Sequence, residues 1–177
     1  NVNDAPSGSV TVDDTTPTQG QTLTTSNTLA DVDGLGAITY QWQRGGVDIV
    51  GATGATYTTG QADVGSTLRV IASYTDGQGT VESVASADTA AVANVNDAAT
   101  GTVTITGTAT QGQVLTAANT LLDDDGLGAV RYQWLANGVA ITGATTGSYK
   151  LVQGDVNKTI TVKASYTDAL GTKEVVS

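Results

Sequence analysis

The chain has no cysteine, no histidine, no methionine and no phenylalanine, and only two prolines in 177 residues. Without Cys or His there is no thiol nucleophile, no imidazole base, no ordinary zinc or copper site and no disulfide framework. Cationic side chains are also scarce. Seven Lys and Arg face seventeen Asp and Glu, a net charge of −10, which argues against nucleic acid or an anionic membrane surface as partner, since both require a cationic face. No apolar run reaches membrane-spanning length, so membrane insertion is not expected, and any export signal is expected to lie outside this stretch. A disulfide-free chain this acidic has cations as its natural guests, and bound metal is one way to stabilise small domains.

What the sequence does contain is itself, twice. Asn1-Val2-Asn3-Asp4-Ala5 returns as Asn94-Val95-Asn96-Asp97-Ala98, and Gln19-Gly20-Gln21 as Gln111-Gly112-Gln113. Further along, Asp31-Val32-Asp33-Gly34-Leu35-Gly36 returns as Asp123-Asp124-Asp125-Gly126-Leu127-Gly128, and Ala72-Ser73-Tyr74-Thr75-Asp76 as Ala164-Ser165-Tyr166-Thr167-Asp168. The offset is 93 at the start and 92 afterwards, so one residue is lost in the loop around Asp13 to Pro17. Two domains are expected, 1–93 and 94–177. Ser177 falls on Ala85 of the first copy, so the last strand of the second copy is expected to be incomplete.

Apolar residues recur with a spacing of two, the period of a strand with one buried face. Leu68, Val70, Ala72 and Tyr74 alternate with polar neighbours, as do Ile160, Val162, Ala164 and Tyr166. Ile38, Tyr40 and Trp42 alternate with Thr39, Gln41 and Gln43, and Val130, Tyr132 and Trp134 follow suit. Asn137-Gly138, with Gly45-Gly46 in the first copy, marks a two-residue hairpin, because such a turn needs positive φ at both central positions. Short strands punctuated by Gly, Asn and Asp predict an all-β fold of two tandem immunoglobulin-like β-sandwich domains. Trp42 and Trp134 are expected in the core rather than on a sugar-stacking platform.

The order of a tryptophan on the third strand, a glycine hairpin and Asp63-Val64-Gly65 before the sixth strand resembles an immunoglobulin domain. Where that family places a disulfide, the inward positions here are Leu23 with Val70, and Leu115 with Val162. The run Asn-Val-Asn-Asp-Ala-Pro at 1–6, with Gly-Gln-x-Leu, Asp-x-Asp-Gly-Leu-Gly, Tyr-Gln-Trp and Ala-Ser-Tyr-Thr-Asp, resembles the long-array repeats of giant RTX-type and biofilm-associated bacterial surface adhesins. That resemblance implies export by type I secretion, an extracellular or cell-surface location, and calcium stiffening of an extender array. Neither a Gly-Gly-x-Gly-x-Asp calcium-binding nonapeptide repeat nor a Thr-x-Thr ice-binding ladder is present.

Comparison of the copies separates acids that hold from acids that drift. The first copy has ten acids and two bases, net −8, and the second seven acids and five bases, net −2. Six acids coincide: Asp97 on Asp4, Asp123 on Asp31, Asp125 on Asp33, Asp155 on Asp63, Asp168 on Asp76 and Glu174 on Glu82, while no base does. In an immunoglobulin sandwich the chain's start and the loops after the second and sixth strands share one end. Asp4, Asp31, Asp33 and Asp76, with Asn3, are therefore expected to converge at the N-terminal pole, and Asp97, Asp123, Asp125 and Asp168, with Asn96, at the same pole of the second copy. Such an all-oxygen, carboxylate-rich set suits Ca2+. The competing reading of each motif is turn chemistry, since Asp often caps its own backbone. Asp63 reads first as a turn-capping carboxylate and second as a further metal ligand.

These features predict a non-enzymatic spacer module, monomeric, whose partners are neighbouring repeats of the same chain and whose adhesive ligand binds elsewhere in the parent protein. The alternative is a module that itself binds a glycan or protein at the cell surface or matrix. Its requirement is an exposed apolar patch, for which Ile71, Leu135 and Tyr57 are the candidates.

Overall fold

The computed structural model describes residues 2–177, and the chain divides into two compact units with the break between Val95 and Asn96. Both are β-sandwiches. In the first, β1 (Val10–Val12), β2 (Thr22–Asn27) and β5 (Thr56–Thr58) form one sheet in the order β1-β2-β5. The second sheet has the order β4-β3-β6-β7, from β3 (Thr39–Arg44), β4 (Val47–Asp48), β6 (Leu68–Thr75) and β7 (Val81–Ala85). The second unit repeats this with β8 (Val103–Thr106), β9 (Val114–Asn119) and β12 (Ser148–Lys150) against β10 (Arg131–Ala136), β11 (Val139–Ala140), β13 (Ile160–Thr167) and β14 (Lys173–Val176). All strand pairs within the sheets are antiparallel, and the described residues hold no α-helix, only two single 3₁₀ turns at Gln61–Asp63 and Gln153–Asp155. The fold class is all-β, two tandem immunoglobulin-like sandwiches.

The period-two pattern places one face of each strand inside. Leu23 from one sheet and Trp42, Val70, Ala72 and Tyr74 from the other meet in a single core in the first unit. Trp42 and Trp134 are fully buried, and each indole N–H donates to a backbone carbonyl, of Gly54 at 3.0 Å and Thr146 at 2.9 Å. That bond satisfies the one polar atom of an otherwise apolar side chain. Asn137 and Gly138 both have positive φ, 49° and 79°, as do Gly45 and Gly46, the backbone that the hairpin between β10 and β11 and its counterpart require.

Two sequence expectations are corrected. Leu135 is buried rather than exposed, because it lies on a central strand opposite Ala140 on one side and Thr161 on the other. Gln43, expected to face solvent, is also buried, its amide donating to Asp48 and its carbonyl accepting from Arg69. Exposed threonines recur on the outer faces of the strands. Thr104 and Thr106 share the exposed face of β8, opposite Ala118 and Thr116, and in the first unit Thr22 and Thr24 of β2 pair with Thr58 and Thr56 of β5. The Thr-x-Thr spacing is strand spacing, so the hydroxyls line up outward while Leu23 and Leu115 point in.

Candidate metal centre at the acidic pole

At the N-terminal end of each sandwich three segments are tied together. The amide of Asp4 donates to the Asp33 carboxylate at 2.8 Å, joining the chain's start to the 31–36 loop. The amide of Gly77 donates to the carbonyls of Asp33 and Gly34, joining that loop to the turn after β6. Asn3 Nδ2 donates to Glu82 Oε1 at 2.6 Å, adding β7. The second unit reproduces the set: Asp97 N–H to Asp125 Oδ2 at 2.8 Å, Ala169 N–H to the carbonyls of Asp125 and Gly126, and Asn96 Nδ2 to Glu174 Oε1 at 3.0 Å.

The glycines of Asp-x-Asp-Gly-Leu-Gly explain how the loop gets so close. Gly34 and Gly126 sit at φ of 101° and 95°, a region that disfavours side chains. A Cβ on Gly36 or Gly128 would lie 2.0 Å or 1.9 Å from the carbonyl oxygen of Thr75 or Thr167, so only glycine lets the loop lie against the end of β6 or β13.

Within this frame most carboxylate oxygens have partners. Asp31 accepts from the amide of Asp33 at 2.8 Å and from the Tyr74 hydroxyl at 2.6 Å; Asp123 does the same with Asp125 and Tyr166. Burial, followed by the hydrogen bond to the neighbouring carboxylate, pushes the Tyr74 and Tyr166 hydroxyls well above the usual phenol range. Asp76 Oδ1 accepts from the amides of Gln78 and Thr80, and Asp168 Oδ1 from those of Leu170 and Thr172. The second oxygens differ. Asp76 Oδ2 and Asp168 Oδ2 are buried and have no hydrogen-bond partner among the described residues. Each belongs to a side chain only 6% exposed.

The structure therefore brings together the elements that the sequence comparison singled out, but in a different form from four converging carboxylates. Among the described residues no group of three or more acidic side chains stands in metal-holding geometry. Asp4 and Asp97 engage the loop through their backbone amides. Glu82 and Glu174 join the pole, as do Tyr74 and Tyr166, none of which the sequence reading placed there. The coincidence of Glu174 with Glu82 is the signal that marks the first pair.

Asp63 stands apart from this set. It is 1% exposed in the 3₁₀ turn before β6, and its oxygens accept from Arg44 Nε at 2.7 Å, the Tyr57 hydroxyl and the amide of Gly60. With both oxygens engaged within the chain it acts as a capping carboxylate, the first of the two readings made of it. Its counterpart Asp155 caps the same turn through Tyr149 and Val152 N–H.

The fold and its poles define a pair of tandem immunoglobulin-like repeats. No family profile and no characterised protein sequence matches the chain. Three solved structures show similarity to the chain. The three N-terminal domains of the highly immunogenic outer capsid protein of bacteriophage RB49 share 19% identity over 97% of this chain and 58% of theirs, with a TM-score of 0.35. A Ca2+-stabilized adhesin of an Antarctic bacterium that binds ice shares 19% identity over 98% of this chain and 48% of its own, with a TM-score of 0.38. Fibronectin(III)-like modules of Clostridium thermocellum CbhA share 22% identity over 94% and 91% of the two chains, with a TM-score of 0.31. The chain thus spans about half the length of the first two.

Proposed function

We propose that this chain is an extender segment of a large secreted bacterial surface adhesin of the RTX type, acting outside the cell as a mechanical spacer whose repeats are stiffened by Ca2+ at their acidic poles. The observation that carries the calcium reading is the orphaned oxygen of Asp76 and Asp168, buried at the same place in both copies. Leaving a buried polar atom unsatisfied costs about 1–3 kcal/mol. Its recurrence in two copies that keep six acids in common and no base supports a positive guest.

The donor chemistry at the pole suits a hard cation, and the carboxylates would have to draw together around it, since among the described residues no three of them stand in metal-holding geometry. All polar groups at the pole offer oxygen or amide, with carboxylates from Asp33, Asp76 and Glu82, or Asp125, Asp168 and Glu174, on segments already tied to one another. Calcium takes six to eight oxygens and would supply the positive charge there. The chain's own groups do the rest. Asp125 fixes the backbone of Asp97, Glu174 holds Asn96, and the turn from Asp168 to Thr172 presents its free carboxylate oxygen to the same pole. Neutralising these acids would lock the entering segment onto the loops and so reduce bending where the repeat begins. The role calls for no catalytic group, and the adhesive ligand is assigned to another part of the parent protein.

The test compares the fragment in calcium and in chelator. Melting temperature and the distribution of end-to-end distances, read by scattering or by paired spin labels, are both measured. The reading requires a higher melting temperature and a narrower distribution in calcium; superimposable curves in the two conditions would sink it.

A further inference from the structure

The two units differ in one side chain beside their capping aspartates. In the first, Arg44 closes β3 opposite Leu68, and its Nε donates to Asp63 Oδ1 at 2.7 Å. The Tyr57 hydroxyl and the Gly60 amide donate to Asp63 Oδ2 at 2.9 Å and 2.7 Å. The second unit builds the same frame. The Tyr149 hydroxyl and the Val152 amide donate to Asp155 Oδ2 at 2.8 Å and 2.9 Å. The residue that closes β10, opposite Ile160, is Ala136, which has no side-chain donor. The counterpart of the oxygen that Arg44 engages, Asp155 Oδ1, therefore accepts no hydrogen bond from any described residue.

A pocket of about 280 Å³ lies beside Asp155, with Ala136, Ala140, Ile141 and Tyr149 among its walls. Its surface combines aliphatic groups with this one carboxylate, and Asp155 is half-buried where Asp63 is 1% exposed. Val139, exposed on β11, stands at its edge. Lys158 also borders it but makes no ion pair among the described residues. What fills the corresponding place in the first unit is the Arg44 side chain. Arg44, Tyr57 and Asp63 bond to one another and to Gly60, and none of their side chains bonds to the segment 86–93 that follows β7.

We propose that this pocket binds the guanidinium group of an arginine carried by a partner protein, which supplies from outside the bond that Arg44 makes within the first unit. The first unit shows that the frame of carboxylate, phenol and amide accepts a guanidinium. A planar fork of donors matches a carboxylate edge better than a compact, strongly hydrated ammonium does. Aliphatic walls from Ala140 and Ile141 suit the methylene stem of the incoming side chain. The net charge of −10 draws a cationic partner, and Val139 at the edge offers apolar contact to the chain that carries the arginine. The site lies before the start of β13, whereas the acidic pole lies at its end, so it does not depend on calcium.

The experiment titrates the whole chain, in chelator, with N-acetyl-arginine amide and follows amide chemical shifts. Saturable shifts at Ala136, Val152 and Asp155 are expected, with little change at Arg44, Gly60 and Asp63, and a dissociation constant of about 1–10 mM for so small a probe. N-acetyl-lysine amide is expected to bind more weakly. Asp155→Asn is expected to weaken binding about two- to fivefold, Lys158→Ala to leave it intact, and Ala136→Arg to abolish it by filling the pocket from within. Arg44→Ala is expected to open a second site for the same probe, with new shifts at Gly60 and Asp63. Equal affinity for the arginine and lysine amides, or shifts that survive Ala136→Arg, overturns the proposal. So does tighter binding of free arginine than of the blocked amide, which would make the ligand a small molecule. Self-association of the chain that Ala136→Arg abolishes also overturns it, since the guanidinium would then come from a second copy.

Discussion

The backbone amide of Asp97 donates to the carboxylate of Asp125 at 2.8 Å, the bond that Asp4 makes with Asp33 in the first unit. One contact thus ties the aspartate of the repeat's opening Asn-Val-Asn-Asp run to the loop after its second strand, and it does so twice. Asp125→Ala removes the acceptor for this amide. Because Asp125 is 3% exposed, its loss also opens a small void against the entering chain. The expected cost is about 1.5–3 kcal/mol, the range for a hydrogen bond to a charged group, read by denaturant unfolding. Asp124→Ala, at an exposed neighbour, is expected to stay within about 0.5 kcal/mol.

The orphaned oxygens give a sharper test of the pole. Asp168→Asn keeps the Oδ1 acceptor for Leu170 and Thr172 N–H but places a neutral amide where Oδ2 stands unpartnered. In chelator this variant is expected to be as stable as the parent or slightly more so, since a buried charge has been removed. Extracellular calcium modules bind with dissociation constants of about 0.1–1 mM, so at about 1 mM calcium the parent gains up to about 1.4 kcal/mol per site. The variant is expected to lose that increment at its own site. Equal calcium responses in parent and variant would separate Asp168 from any ion.

Strand positions, the two hairpins and the buried tryptophans were legible because each rests on local spacing: alternation by two, or paired residues that tolerate positive φ at 137–138. The pole was legible as a meeting of segments, since the comparison of copies marked Asp31, Asp33 and Asp76 and the fold order placed their loops at one end. Its internal wiring was not. Tyr74 finds Asp31 across 43 residues and Asn3 finds Glu82 across 79, and no periodicity reports such partners. Leu135 was misread for a related reason. Alternation assigns it to the outer face, but whether an outer face is covered depends on the neighbouring strands, which are distant in sequence.

The tyrosines at the pole set an alkaline limit. Burial first, then the hydrogen bonds to Asp31 and Asp123, raise the Tyr74 and Tyr166 hydroxyls in the folded state above their unfolded values. A group whose folded value is raised contributes its stability in full below the unfolded value and loses it as pH climbs toward the folded one. Stability is therefore expected to hold through neutral pH and to fall above about pH 10. Tyr74→Phe or Tyr166→Phe is expected to flatten that fall while lowering stability at pH 7, through the lost partner of Asp31 or Asp123. Melting curves from pH 8 to pH 12 check this, and an unaltered alkaline slope in the double variant would remove the tyrosines as its cause.

The capping aspartates allow one unit to serve as a control for the other. Asp63 accepts from Arg44, Tyr57 and Gly60 N–H, whereas Asp155 accepts from Tyr149 and Val152 N–H, with Ala136 standing where Arg44 stands. Arg44→Ala therefore leaves Asp63 with the kind of partners that Asp155 already has. The Arg44 side chain is 32% exposed, so solvent screens the pair, and the expected loss is about 1 kcal/mol. Asp63→Ala is different in kind. It strands the Tyr57 hydroxyl, the Gly60 amide and the Arg44 guanidinium at once, next to a ring that stacks on Trp42 at 5.7 Å. Each donor left unsatisfied away from water costs about 1–3 kcal/mol, together a large share of what a domain of this size has in reserve. Denaturant unfolding of the two variants should rank Asp63→Ala well below Arg44→Ala. If Arg44→Ala proves as damaging, the ion pair rather than the cap holds this turn, and the second unit must hold its own by other means.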